Sequence, residues 1–159
     1  MRWIVLLASG LLAGVYLMNK KTIDESVSNF VLSARSEARM LGVHSDLKKV
    51  VRRALQISPY DFGITEGLRT AKRQYQLYQE GLSQLDGHKR PSRHQSGHAI
   101  DFVAYDENSK VTWDFKYYEA ISKAFKQAAR ELEVSIIWGG DWKSLRDGPH
   151  VELNRLVYL

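Results

Sequence analysis

The run Ser92-Arg93-His94-Gln95-Ser96-Gly97-His98-Ala99-Ile100-Asp101 is answered near the end of the chain by Asp147-Gly148-Pro149-His150. His94, Asp101 and His150 supply two imidazoles and a carboxylate, a donor set that suits zinc, and Asp147 adds a spare carboxylate three residues before the last of them. A catalytic zinc takes three protein ligands and keeps a fourth position for water. A neighbouring base must then take the proton of that water. These are the parts of a metal-dependent hydrolase. The chain has no cysteine, so any metal must be held by histidine and carboxylate.

Spacing restrains how the parts meet. His94 and Asp101 are seven residues apart, about 23 Å in an extended chain, whereas the ligands of one zinc lie within a few ångströms of each other. The chain must double back, and Ser96-Gly97 provides the bend. In the strand that follows, Asp101 shares a face with Ala99, while His98, Ile100 and Phe102 take the other. His98 is therefore expected to make a structural hydrogen bond rather than to bind metal. On spacing alone His-x6-Asp is a weak signal. Pro149 excludes a helical Asp147/His150 pair and pushes Gly148 toward extended geometry. On the same grounds Asp147 reads equally as a base and as a turn carboxylate in Arg-Asp-Gly-Pro.

The elements that must position these residues come from hydropathy patterning. At 159 residues the chain suits one domain with a single core. Ser45 is expected to cap a helix whose apolar face is Leu47, Val50, Val51, Ala54 and Leu55, with Lys48, Lys49, Arg52 and Arg53 on a solvated side. Phe62–Glu66 reads as a strand, and Thr70 caps a helix from Ala71 to about Glu80 that Gly81 stops. Residues 83–97 read as a polar loop and His98–Ala104 as a strand. A long helix over 115–132 follows, with Phe115, Tyr118, Ile121, Phe125, Ala128 and Leu132 as its stripe. Val134–Trp138 and His150–Leu153 are the remaining strands. Strands and helices do not alternate as βαβ units, so the class is α+β. Glu152 shares strand parity with His150 and could support that residue from behind, but a solvent-facing carboxylate is the expected reading. Trp138 and Trp142 stand as candidate cleft residues beside a core role.

Trp3–Met18 is a run of sixteen uncharged residues, WIVLLASGLLAGVYLM, between Arg2 and Lys20-Lys21. As a helix it would be about 24 Å long against a bilayer core of about 30 Å, which is marginal for a span. No convincing cleavage site precedes Lys20. The expected organisation is a signal anchor at 1–19, a polar tether at 20–35 and the domain at 36–159. The domain would then sit on the periplasmic side of the inner membrane. The net charge of +5 gives a mild attraction to polyanions. The basic residues do not interleave with aromatics in a nucleic-acid-binding motif, so no nucleic-acid partner is expected.

The pattern Ser92-x-His94-x-x-Gly97-x-Ala99-x-Asp101 with Asp147-x-x-His150 resembles the zinc D-alanyl-D-alanine carboxypeptidase, dipeptidase and endolysin peptidase family. Leu41-Gly42-Val43-His44-Ser45-Asp46-Leu47, Thr65-Glu66-Gly67-Leu68-Arg69-Thr70 and Trp138-Gly139-Gly140-Asp141-Trp142 are similar to its phage L-alanyl-D-glutamate endopeptidase branch. The resemblance implies zinc ligands His94, Asp101 and His150, a catalytic base Asp147, an oxyanion-steadying Arg69, and Ser92 as a substrate contact beside the metal. Trp138 joins Ser92 as an expected substrate-binding residue. The substrate implied is the peptide stem of bacterial peptidoglycan, cut between L-alanine and D-glutamate during phage lysis. Removal of terminal D-alanine and an inactive wall-binding zinc domain are the alternatives. The expected architecture is α+β: a small antiparallel sheet with flanking helices around a zinc cleft, plus an N-terminal membrane-anchor helix, the soluble domain being monomeric.

Overall fold

The structure, a computed structural model, describes residues 28–159. The expected anchor at 1–19 lies outside the described residues, among which no helix is long and apolar enough to cross a membrane. The described part of the expected tether lies against the domain. Ser28 hydrogen-bonds the carbonyls of Leu55 and Gln56, and Phe30 and Leu32 pack against the core. The chain then forms a short helix absent from the sequence reading, α1 (Ala34–Arg39), capped by Ser33.

Helix α2 (Ser45–Ile57) buries Leu47, Val50, Val51, Ala54 and Leu55, the expected face. Its N-cap is His44 rather than Ser45, because the His44 side chain accepts the Asp46 amide hydrogen bond. The basic face is solvated and ion-paired, with Lys49 on Asp46 and Arg52 on Glu37. Strand β1 (Phe62–Glu66) leads to α3 (Ala71–Gln79), capped by Thr70 as expected. The polar loop 83–97 ends in a 3-10 turn, Arg93–Ser96. Strands β2 (Ala99–Tyr105) and β3 (Val111–Thr112) follow, then α4 (Phe115–Glu131) with Asp114 as its N-cap. Leu132 is the C-cap of α4 and stays 38% exposed, so the expected stripe ends one position short. Strand β4 (Ile136–Trp138), a second 3-10 turn (Gly139–Asp141) and β5 (His150–Leu153) complete the domain.

The fold is α+β, with an antiparallel sheet in the order β1-β2-β5-β4 and β3 paired to β2. Period-two alternation divides the strands by face. Phe62, Ile64, Ile100, Phe102, Ala104, Val151 and Leu153 join α2 and α4 in the core. Asp101, His150 and Glu152 take the other face. One irregularity serves that face. The β1–β2 register runs Ile64↔Phe102 and then Glu66↔Asp101, so Thr65 is an extra residue on β1. Such a bulge turns the next side chain to the opposite face, which sets Glu66 beside Asp101.

Candidate metal centre

His94 rides on the 3-10 turn. The Ser92 hydroxyl accepts from the His94 amide at 3.3 Å, and the Gln95 side chain accepts from the Ser92 amide at 2.9 Å, which closes a capping box. Gly97 then reverses the chain at φ 71°, and a Cβ there would lie 2.3 Å from the Gly42 carbonyl oxygen, so no other residue fits. This is the doubling back that the His94/Asp101 spacing requires. Ser92, expected to touch substrate, is buried and holds the turn that carries His94. His98 points away and pairs with the Ser96 hydroxyl at 2.8 Å, the structural role expected of it.

Asp101 and His150 are register partners on β2 and β5. His94 Nε2 lies 3.3 Å from both His150 Nδ1 and Asp101 Oδ1, and His150 Nδ1 lies 3.1 Å from Asp101 Oδ1. Among the described residues this is the one cluster of three such side chains placed to hold an ion. Donors bound tetrahedrally at about 2.0–2.2 Å lie ~3.3–3.5 Å apart, so the triangle fits one face of a zinc site. The tautomer of His94 also fits. Its Nδ1 donates to the Gly67 carbonyl oxygen at 2.9 Å, which leaves the Nε2 lone pair facing the triangle.

The electrostatics agree with a site that wants positive charge. Burial favours the neutral form of the Asp101 carboxyl, but hydrogen bonds to His150 and His94 outweigh it and lower its pKa. Burial opposes protonation of His150, yet its contacts with Asp101 and Glu152 raise it to about 9. Asp147 is half-buried beside them. Burial, and then the negative charge of Asp101, push its carboxyl above the usual range, while His150, His94 and Arg69 pull it back. Charges on Asp101, His150, His94 and Arg69 all act on the Asp147 carboxyl, which therefore stands near the triangle.

Arg69 stands on the other side of Asp101. Its Nη2 donates to Asp101 Oδ2 at 3.4 Å and to Glu66, its Nη1 to Gln74 Oε1 at 2.8 Å, and its backbone amide to the His94 carbonyl at 3.0 Å. The fully buried Gln74 is in turn held by Ser83 and Leu85. The guanidinium is thus a fixed charge against the triangle.

Two expectations are corrected. Trp138 does not line a cleft. It is 4% exposed, packs on Phe115, and its Nε1 donates to the Gly148 carbonyl at 2.7 Å. It pins the loop that joins Asp147 to His150. Gly140 lies on its ring, where a Cβ would come within 2.2 Å of a ring carbon. Trp142 is the tryptophan beside the site, its ring centroid 5.2 Å from that of His150. Glu152 does not face solvent. It is 3% exposed and lies 3.1 Å from His150 Nε2. Its alternation with His150 along β5 was the signal. The Gly67 carbonyl, a backbone atom, gave none.

Known proteins share this frame. The family model described as phage L-alanyl-D-glutamate peptidase matches residues 28–155. The L-alanyl-D-glutamate peptidase of Escherichia phage T5 is 40% identical over 131 residues, covering 82% of this chain and 93% of that protein. The peptidoglycan L-alanyl-D-glutamate endopeptidase CwlK of Bacillus subtilis is 31% identical over 126 residues, covering 70% and 75%. The crystal structure of the Serratia marcescens L-Ala D-Glu endopeptidase ChiX superposes with a TM-score of 0.74 at 41% identity, covering 87% of this chain and 97% of that one. Matched through nearly all of its described domain, the chain belongs to the phage L-alanyl-D-glutamate peptidase family.

Proposed function

We propose that this chain is a phage-type lysis enzyme that hydrolyses the L-alanyl–D-glutamate bond in the peptide stem of bacterial peptidoglycan. The observation that carries the reading is the triangle of His94, Asp101 and His150, with both histidines buried and Asp147 beside it, in a chain whose relatives are named for that cleavage. His94 Nε2, Asp101 Oδ1 and His150 Nδ1 would hold a zinc ion. When bound, zinc supplies Lewis acidity that polarises a carbonyl and makes water nucleophilic at neutral pH.

The chain's own groups do the rest. Asp147 accepts the proton of the attacking water on its carboxylate and returns it to the leaving amine as the C–N bond breaks. Burial and the charge of Asp101 raise its pKa, the direction that strengthens it as a base. Arg69, held by Glu66 and Gln74, presents positive charge where negative charge develops on the carbonyl oxygen. The Trp138–Gly148 hydrogen bond keeps Asp147 and His150 in register with each other. The uncharged run Trp3–Met18 supports an anchor that keeps the domain beside the wall, outside the cytoplasmic membrane.

Mass spectrometry of purified peptidoglycan digested with the chain, with chelator and with zinc restored, tests the reading. Zinc-dependent release of peptides beginning at D-glutamate is expected. Loss of terminal D-alanine alone, or cleavage indifferent to chelator, would overturn it.

A further inference from the structure

Glu152 is a carboxylate 3% exposed, on the same face of β5 as His150. Its cross-strand neighbours are Ala99 on β2 and Ile137 on β4, neither of which can pair with a charge. Burying a carboxylate there costs free energy unless it is paired and hydrogen-bonded. Two partners satisfy it. Oε2 lies 3.1 Å from His150 Nε2, and Arg155 grips both oxygens, Nε to Oε1 at 2.9 Å and Nη2 to Oε2 at 3.3 Å.

The consequence falls on His150. Its Nδ1 faces Asp101 and His94, so the lone pair must lie on Nδ1 and the proton on Nε2 for the ring to serve as a ligand. An ionised carboxylate only accepts, so Glu152 favours that tautomer. The two-point contact with Arg155 stops the carboxylate from turning away. Arg155 lies beyond the end of β5 with its side chain 56% exposed, outside the cluster of ligands. We propose that Glu152 and Arg155 are positioning residues that set the tautomer and angle of His150, so that an exposed arginine governs the affinity of a buried metal centre. The inference rests on the metal reading above.

Zinc affinity of the full chain is measured by competition with a chromophoric chelator at fixed pH. The visible absorption of the cobalt-loaded protein and urea unfolding in chelator are recorded alongside. Glu152→Ala is expected to weaken zinc binding about 10–100-fold and to alter the cobalt spectrum. Glu152→Gln recovers part of the loss, because its amide oxygen still accepts from Nε2. Arg155→Ala loses less than Glu152→Ala, and Arg155→Lys restores part of that. Should Glu152→Ala fail to fold, Glu152→Gln and Arg155→Ala carry the test. An affinity of Glu152→Ala within about twofold of the parent, or of Arg155→Ala where Glu152→Ala does not fold, or losses accounted for wholly by the unfolded fraction, would overturn the proposal. A parent chain that binds no zinc, or a His150→Ala variant that binds it equally well, defeats the metal reading itself and this pairing with it.

Discussion

On the helix-facing side of the sheet, Phe62, Phe102 and Phe125 pack with ring centroids 5.1–5.5 Å apart, whereas the opposite side of the same strands carries Glu66, Asp101, His150 and Glu152. The first surface is held by area and shape, and its members are interchangeable in kind if not in volume. The second is a chain of named partners in which each buried polar group satisfies the next: Gly67 to His94, His94 to Asp101, Asp101 to Arg69 and His150, His150 to Glu152. One face stabilises the domain, and the other uses that rigidity to hold like-charged and lone-pair-bearing groups at close range. Substitutions on the two faces should therefore fail differently.

The largest effect is expected from His150→Ala. It removes a vertex of the triangle, so bound metal and turnover both fall to background while the circular dichroism spectrum stays that of a folded domain. Elemental analysis that finds full metal content would mean that the donor set is wrong. On the core face, Phe125→Ala should lower unfolding free energy by about 3–5 kcal/mol without changing metal stoichiometry in the folded fraction. A urea midpoint unmoved by that substitution would contradict the division. Trp138→Phe tests the seam between the faces. It keeps an aromatic side chain but deletes the indole N–H and so leaves the Gly148 carbonyl unpaired, at a cost of about 1–3 kcal/mol. Turnover should drop more than metal content, since His150 keeps its β5 register with Asp101 while Asp147 depends on the loop that Gly148 anchors.

Proton linkage gives the subtlest signature. His150 is raised to about 9 by Asp101 and Glu152 against the opposing effect of burial, and a cation at Nδ1 must displace that proton. Zinc affinity should weaken about tenfold for each pH unit below 9, measured by chelator competition. Stability in excess chelator has the opposite sign. The His150 contribution is complete below about 6.5 and disappears as pH rises through about 9. A chelated protein that gains stability over that interval would remove His150 from the account.

Legibility in the sequence followed the range of the interactions involved. The faces of α2 and α4 repeat over several turns and were readable from periodicity, as was the parity that set Asp101 apart from His98. Elements too short for a period, α1 and β3, gave no such signal. The bulge at Thr65 depends on how β1 meets β2, and only that register turns Glu66 toward Asp101. Glu152 had the right parity, but a lone carboxylate on a strand reads as solvent-facing until Arg155 and His150 are seen around it. Trp138 stood equally as core or cleft, and only the Gly148 carbonyl on its indole decides for the core.

Metal content and turnover measured on one preparation of Asp147→Asn separate the metal ligands from the proton carrier. Zinc should be bound as in the parent, with turnover on peptidoglycan reduced about 10²–10⁴-fold, because the triangle is intact and the proton carrier is gone. Parental turnover in that variant would contradict that role for Asp147.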